Sequence, residues 1–166
     1  MKKVIAVLSA VLLAGACAFA EGYISANDVE KGVIDSSVAQ EDGFFLNGVP
    51  EKALEVNGAS VTVGEDTFTQ RFKFGSKPKD GDWKAPSVSF PAKKGETVTV
   101  WGQSSSKTDA RVVQIKDESG KVVKELPVNS SSDPCEPQSF KVEADGTFYA
   151  VSKSGTVYIY QIKVGK

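Results

Sequence analysis

A period-two alternation of apolar and polar side chains is the feature that most constrains the fold of this chain. Between Phe68 and Phe74, phenylalanines fall on one side of an extended backbone and polar or basic residues fall on the other. Because successive side chains of a strand point to opposite faces, this segment predicts a half-buried β-strand. From Gly43 onward no apolar residues recur at helical spacing, so the pattern predicts an all-β fold.

Further short runs of the same kind occur along the chain. They predict strands over residues 44–46, 54–56, 60–63, 88–90, 97–103, 110–117, 122–126, 139–142, 147–152 and 157–164. Turn-forming residues separate many of them, as at Asn47-Gly48, Asn57-Gly58, Asp145-Gly146 and Ser154-Gly155. Short strands at this spacing predict an antiparallel β-sandwich of the jelly-roll kind.

The first twenty residues have the parts of an export signal. A basic start at Lys2 and Lys3 precedes an apolar stretch that ends in the small-x-small sequence Ala18-Phe19-Ala20. We predict a signal peptide over residues 1–20 and a secreted or periplasmic product. The alternative is a lipid anchor on Cys17 that holds the protein in the cell envelope, although the preceding leucine lies one residue too far away.

The remaining chain divides into two parts. Residues 21–42 are polar and weakly periodic, and we predict a flexible leader there, followed by a sandwich domain over residues 43–166. Once Cys17 leaves with the signal, Cys135 is the only cysteine and has no disulfide partner. The domain must therefore be stabilised by its core, for which it is long enough.

Charge and composition exclude several functions. Without Lys2 and Lys3, 18 basic side chains remain against 21 acidic ones, a net charge of −3. Nucleic-acid binding requires a dense basic surface and is not expected. The chain has no histidine, so the commonest general base and metal ligand is missing. We predict a protein that is not an enzyme and has no cofactor.

Loop lengths predict where ligands bind. If consecutive strands alternate in direction, the long connectors over residues 75–87, 104–109 and 127–138 begin at one end of the sandwich. Sandwich domains usually carry recognition on the loops of one end. We therefore expect the binding site at this long-loop end.

Five side chains near that end are suited to holding a sugar. Aromatic rings stack on the apolar face of a pyranose, and cationic groups hold a carboxylate. The candidates are Trp83, Trp101, Tyr158, Arg111 and Lys107. Structural roles stay open for three of them, since Trp101 and Tyr158 could pack in the core and Arg111 could bond loop carbonyls.

A structural calcium ion is also left open. Asp80, Asp82 and Asp109 could supply oxygen ligands at the same end. The chain contains no twelve-residue calcium loop, so these carboxylates are weak candidates.

Three segments carry a resemblance to a known family. Phe68-Thr69-Gln70-Arg71-Phe72-Lys73-Phe74-Gly75 is similar to an F-T-x-R-L-K-L-G strand, and Thr99-Val100-Trp101 with Ser104, Ser105 and Arg111 resembles the strand, serine loop and arginine that follow it. Gly146-Thr147-Phe148-Tyr149 and Val157-Tyr158-Ile159-Tyr160 resemble a closing hairpin, except that Tyr158 replaces the usual asparagine. Together they resemble the β-sandwich, carbohydrate-binding-like module appended to bacterial pectate lyases and related polysaccharide-degrading enzymes.

The resemblance implies a β-sandwich and a polysaccharide partner, with uronate-containing polymers as the first candidate. The predicted function is therefore non-catalytic carbohydrate binding by an exported protein. The alternative is a structural or adhesive protein of the cell envelope that binds another protein through its sandwich. Contact with a membrane is expected only if Cys17 is lipidated.

Overall fold

The computed structural model describes residues 21–78 and 82–166, and these residues form two antiparallel sheets packed face to face. The strands are β1 Gly22–Ser25, β2 Gly32–Ile34, β3 Ser37–Ala39, β4 Phe45–Asn47, β5 Leu54–Val63, β6 Asp66–Phe74, β7 Ser87–Ala92, β8 Thr97–Ser104, β9 Arg111–Lys116, β10 Val122–Val128, β11 Gln138–Lys141, β12 Gly146–Ser152 and β13 Val157–Gly165. Two short 3-10 helices cover Ala26–Asp28 and Glu41–Gly43.

The two sheets share the strands almost equally. One sheet has seven described strands, in the order β11-β8-β13-β6-β5-β2, with β1 paired to β13. The other has six, in the order β10-β9-β12-β7-β4-β3. The predicted all-β sandwich is therefore confirmed.

The core lies between the sheets and is built largely from alternate residues of the longer strands. Phe72 and Ile159 project from the seven-stranded sheet, Phe90 and Phe148 project from the six-stranded one, and Phe44 lies just before β4. The Phe90 ring centroid lies 5.9 Å from that of Phe44 and 6.1 Å from that of Phe148. Each such buried ring contributes about 2 to 3 kcal/mol by leaving water, so the core does not need a disulfide.

The predicted flexible leader over residues 21–42 was wrong, because these residues belong to the sandwich. β1 pairs with the second half of β13, and β2 and β3 each extend one sheet. Ile24 and Ala26 are buried in the core. The segment lacks a clear period because its strands have only three or four residues, too few to display one.

One predicted turn was also wrong. Asn57-Gly58 lies inside β5, which continues from Leu54 to Val63 with a register shift between Gly58 and Val61. A β-bulge inserts an extra residue and favours glycine, so its sequence resembles that of a turn.

The predicted signal peptide and Cys17 lie outside the described residues. Within residues 21–78 and 82–166, no helix has the length and apolar character needed to cross a membrane.

Candidate functional site

Strand direction alternates as predicted, so the long connectors begin at a common rim. The Ser104 amide donates to the carbonyl of Asn129 at 2.7 Å, and the Thr156 hydroxyl donates to the carbonyl of Gly75 at 2.8 Å. The ends of β6, β8, β10 and β12 therefore lie at this rim. Two of the connectors then leave it, and each covers the outer face of a sheet.

The connector before β7 covers the outer face of the six-stranded sheet. Ala85 in the connector and Val151 in β12 are both buried, and the Ser87 hydroxyl donates to the carbonyl of Lys84 at 2.5 Å. Trp83 belongs to the same connector, and its ring contacts that of Tyr149 edge-on, with the two centroids 5.0 Å apart. The outer face of this sheet is thus partly closed by its own loop.

Trp83 and Arg111 do not share a site, which corrects the sequence-based prediction. Trp83 lies against Gly120, where an added Cβ would be 2.9 Å from the indole Nε1. Gly120 follows the C-terminal end of β9, whereas Arg111 begins that strand. Five residues of extended chain separate the two ends by roughly 16 Å.

At the rim itself, the predicted cation has a structural role. Arg111 donates through Nη1 to the Ser105 hydroxyl at 2.8 Å and also to the carbonyl of Thr156. It thereby holds two connectors together. Lys107 is exposed and forms no hydrogen bond or ion pair with another described residue. Trp83 lies against Gly120 and Trp101 packs on an outer sheet face, so the predicted grouping of indoles and cations is not found at the rim.

Trp101 and Tyr158, in contrast, lie together on the outer face of the seven-stranded sheet. Trp101 alternates with the core residue Val100, and Tyr158 alternates with the core residue Ile159. Both are half-buried and pack on a second apolar cluster outside the main core. Both side chains therefore belong to a sheet face, whereas the sequence-based prediction placed them at the long-loop end.

The connector between β10 and β11 builds the support beneath them. It brings Cys135 against Tyr160 and Phe68, and the last two rings are stacked with centroids 5.4 Å apart. The Tyr160 hydroxyl donates to Gln103 Oε1 at 2.8 Å, and Gln103 Nε2 donates to the carbonyl of Asp133 at 2.6 Å. A register shift in β13 next to Tyr160 accompanies this arrangement.

These supporting groups are unreactive. Burial raises the pKa of Tyr160 to about 12 and that of Cys135 to about 11. Both groups are therefore neutral at ordinary pH, and the Cys135 thiol donates to the carbonyl of Gly102 at 3.5 Å. They fix the positions of the rings above them.

Arg71 is the residue that the sequence-based site prediction missed. Its guanidinium carbon lies 3.8 Å from the centroid of the Tyr158 ring, and its Nε donates to Asn57 Oδ1 at 2.7 Å. Because Phe72 and Phe74 face the core, alternation places Arg71 on the outer side of β6, which is the signal that could have found it; Phe68, predicted on the side of Phe72 and Phe74, joins the second cluster instead. The sequence does not show that β6, which carries Arg71, pairs with β13, which carries Tyr158.

A charged pair completes this surface. Lys73 Nζ lies 2.8 Å from Glu55 Oε2, and Asn57 Nδ2 donates to the other oxygen of Glu55 at 3.1 Å. The hydrogen bond from Lys73, followed by that from Asn57, lowers the pKa of Glu55. We call the surface formed by Trp101, Tyr158, Arg71, Asn57, Glu55 and Lys73 the aromatic face.

The aromatic face combines flat rings with hydrogen-bonding groups. Beside it, the hydroxyls of Thr99 and Ser139 lie 2.8 Å apart in an exposed position. Amide, carboxylate and hydroxyl groups at the margin of exposed rings can bond sugar hydroxyls while the rings contact the C–H face.

Two of the three candidate calcium ligands lie among the described residues, and they belong to different connectors. Asp82 is exposed, and Asp109 accepts hydrogen bonds from Ser106 and Thr108 within its own loop. Asp80 lies outside the described residues. In the part of the chain that the structure describes, no three His, Cys, Asp or Glu side chains form a metal-binding group.

A cleft of about 720 Å³ opens at the opposite rim. Phe44, Pro91 and Val164 give it an apolar lining, and carboxylates including Asp42 and Asp145 surround it. Four carboxylates line this cleft against Lys93, whereas the Glu55 carboxylate of the aromatic face is paired with Lys73. Because carboxylates repel an anionic sugar, the cleft is a poorer candidate for a uronate than the aromatic face.

Comparisons with known proteins find similarity of architecture. No family model matches the sequence, and no curated protein sequence is significantly similar to it. Among solved structures, the chain is similar to the C-terminal CBM6 of LamC, a marine laminarinase from Zobellia galactanivorans, with 16% identity and a TM-score of 0.41 over 89% of this chain and 100% of that one.

Two further structures are similar in the same way. The CBM22-1 xylan-binding domain of Xyn10C from Paenibacillus barcinonensis has 9% identity and a TM-score of 0.45 over 86% of this chain and 91% of that one. The K2 cleaved adhesin domain of Lys-gingipain has 8% identity and a TM-score of 0.41 over 88% and 90%. The neighbours thus include carbohydrate-binding modules with an all-β sandwich, and an adhesin domain with a comparable score.

Proposed function

We propose that this protein binds polysaccharide without cleaving it, through the aromatic face. The observation that carries the proposal is the placement of the half-buried rings of Trp101 and Tyr158 on one sheet face, against the same apolar cluster, with the Arg71 guanidinium 3.8 Å from the Tyr158 ring. Carbohydrate-binding modules among the structural neighbours agree with this function. An exported protein would meet such polymers outside the cell.

Arg71 is the reason to test acidic polymers first. Among described residues it forms no ion pair with a carboxylate, whereas Lys73 is paired with Glu55. A uronate carboxylate could accept a hydrogen bond from the Arg71 guanidinium, and a neutral sugar would gain less from that charge. We therefore propose uronate-containing polysaccharide as the preferred ligand.

Affinity electrophoresis on polygalacturonate and on neutral glycans tests the function. We expect retardation of the wild-type protein, its loss in the double variant W101A/Y158A, and its retention in F45A. Phe45 is a matched control because its ring is 40% exposed but lies on the other sheet. Unchanged mobility on every polymer, or equal retardation of W101A/Y158A, would overturn the proposal.

Protein binding is the second candidate, and one observation favours it. Val33 on the edge strand β2 is 67% exposed, and Val38 on the edge strand β3 is 37% exposed. Apolar edges of this kind can pair with a strand from another chain. Recovery of a partner in pull-downs that disappears in V33K/V38K, with no glycan binding, would favour this function over the first.

A further inference from the structure

We propose a second polysaccharide contact, specific for acidic sugars, on the outer face of the six-stranded sheet. It consists of Trp83, Tyr149, Lys84 and Lys116, which we call the lysine–tryptophan patch. The proposal rests on the proposed function, because it assigns a second contact to the same kind of polymer. It lies on the opposite side of the sandwich from the aromatic face.

Two lysines and two aromatic rings converge in the patch. Lys84 Nζ lies 5.5 Å from the centroid of Trp83 and 5.3 Å from that of Tyr149. Lys116 Nζ approaches the Trp83 ring from the neighbouring strand, at 5.7 Å. Both rings are half-buried, so each keeps part of its surface in solvent.

The charge of these lysines is available to a ligand. Among described residues neither forms a salt bridge, and each ammonium group lies against an aromatic ring. At exposed sites a cation–π contact contributes only about 0.5 to 1 kcal/mol, so a carboxylate can compete for the ammonium groups.

Neither Asp82 nor Asp117 forms an ion pair with the two lysines of the patch. The Asp117 carboxylate accepts from the amides of Ser119 and Lys121 at 2.9 and 3.1 Å and from the Ser119 hydroxyl at 2.6 Å. It keeps its charge, but these hydrogen bonds hold it within its own turn. Asp82 is exposed beside the patch. Among the described residues of the connector before β7, it is the one acid that would repel a polyanion.

Because the two proposed contacts lie on opposite faces of the sandwich, each would bind a separate polymer chain. Packed sheets lie about 10 Å apart, and the side chains of each outer face extend the separation further. One stiff polymer segment cannot contact both faces at once. The protein would then bridge two chains, and bivalent attachment would raise its apparent affinity for a polymer network.

The chain contains only two tryptophans, one in each proposed contact, which gives a direct test. In W101F the fluorescence reports Trp83 alone, and in W83F it reports Trp101 alone. Each variant is titrated with polygalacturonate and with fully methyl-esterified polygalacturonate, which has the same backbone without the charge. Unchanged melting temperatures show that the variants are folded.

We expect a saturable change of Trp83 fluorescence with polygalacturonate and none with the methyl ester. The response should weaken about tenfold in a W101F/K84A/K116A variant and at high salt. W101F/K94A/K141A removes the same net charge from exposed lysines elsewhere and should respond like W101F.

The outcomes separate this inference from the proposed function. A response of Trp101 without one of Trp83 overturns the second contact and leaves the aromatic face supported. A response of Trp83 alone supports the second contact and overturns the assignment of the aromatic face. If neither tryptophan fluorescence changes, both proposals are overturned. If the Trp83 response weakens equally in the two lysine variants, the patch is overturned because only net charge would matter.

Discussion

Replacing Asn27 with alanine should destabilise the whole sandwich, although the residue lies in the segment that the sequence presents as a leader. Its Oδ1 accepts from the amides of Thr69 and Gln70 at 2.8 and 3.1 Å, and its Nδ2 donates to the carbonyl of Thr67 at 2.9 Å. Asn27 thus supplies β6 with the partners that a neighbouring strand would otherwise provide.

The size of the effect follows from those three bonds. Each net hydrogen bond contributes about 0.5 to 1.5 kcal/mol, and water can replace part of the loss because the site is partly exposed. We expect N27A to lower the free energy of unfolding by about 1.5 to 3 kcal/mol. For a domain of this size, that corresponds to a melting temperature about 4 to 10 °C lower.

Urea denaturation followed by circular dichroism measures the change, with N129A as the matched control. Asn129 donates one side-chain hydrogen bond, to the carbonyl of Pro134 at 3.0 Å, so its loss should cost about 1 kcal/mol or less. The midpoint should shift while the slope stays constant. If N27A is no less stable than N129A, residues 21–42 do not support the fold in the way described.

Three further outcomes are expected. Gly120→Ala should destabilise the protein more than Gly95→Ala and shift Trp83 fluorescence. The backbone φ is +86° and +90° at the two glycines, but only the Cβ added at Gly120 would contact a side chain. Equal losses of stability in the two variants would contradict this reasoning. The Cys135 thiol, whose pKa burial raises to about 11, should react with a thiol reagent only as fast as the protein opens, as stopped labelling in native buffer would show. Because its lysine partner lowers the pKa of Glu55, the pair stabilises the fold above the usual carboxyl pKa of 4.5 and loses that contribution as pH falls through the folded-state value. Glu55→Gln should therefore reduce the loss of stability at acid pH, by well under 1 kcal/mol since the pair is exposed. Melting curves from pH 3 to 7 measure this difference.

The strands were predictable because alternation is a local property. Residues 68–74 and 157–164 read as strands in sequence, and both lie within strands of the structure. Strand pairing is a long-range property, and β1 escaped prediction because its partner lies at the far end of the chain. A bulge in β5 escaped because glycine serves turns and bulges alike.

The site was harder to predict for a related reason. Alternating direction placed the start of the long connectors at one rim, but sequence does not tell which way a connector turns afterwards. The connector with Trp83 covers one outer face, and the connector with Cys135 covers the other. Arg71 was visible as an outward-facing residue, and only the pairing of β6 with β13 brings it to Tyr158. The preferred sugar, the association with pectate lyases and the export signal stay predictions.

The pairing of β1 with β13 has a consequence for biosynthesis. Gly22 meets Val164, about 140 positions later, and β13 also borders β6 and β8. A ribosome must therefore release the chain as far as Val164 before this sheet can close, and the early strands have unpaired edges until then. Contacts so distant in sequence form slowly, and exposed strand edges favour aggregation of the nascent chain in the interval.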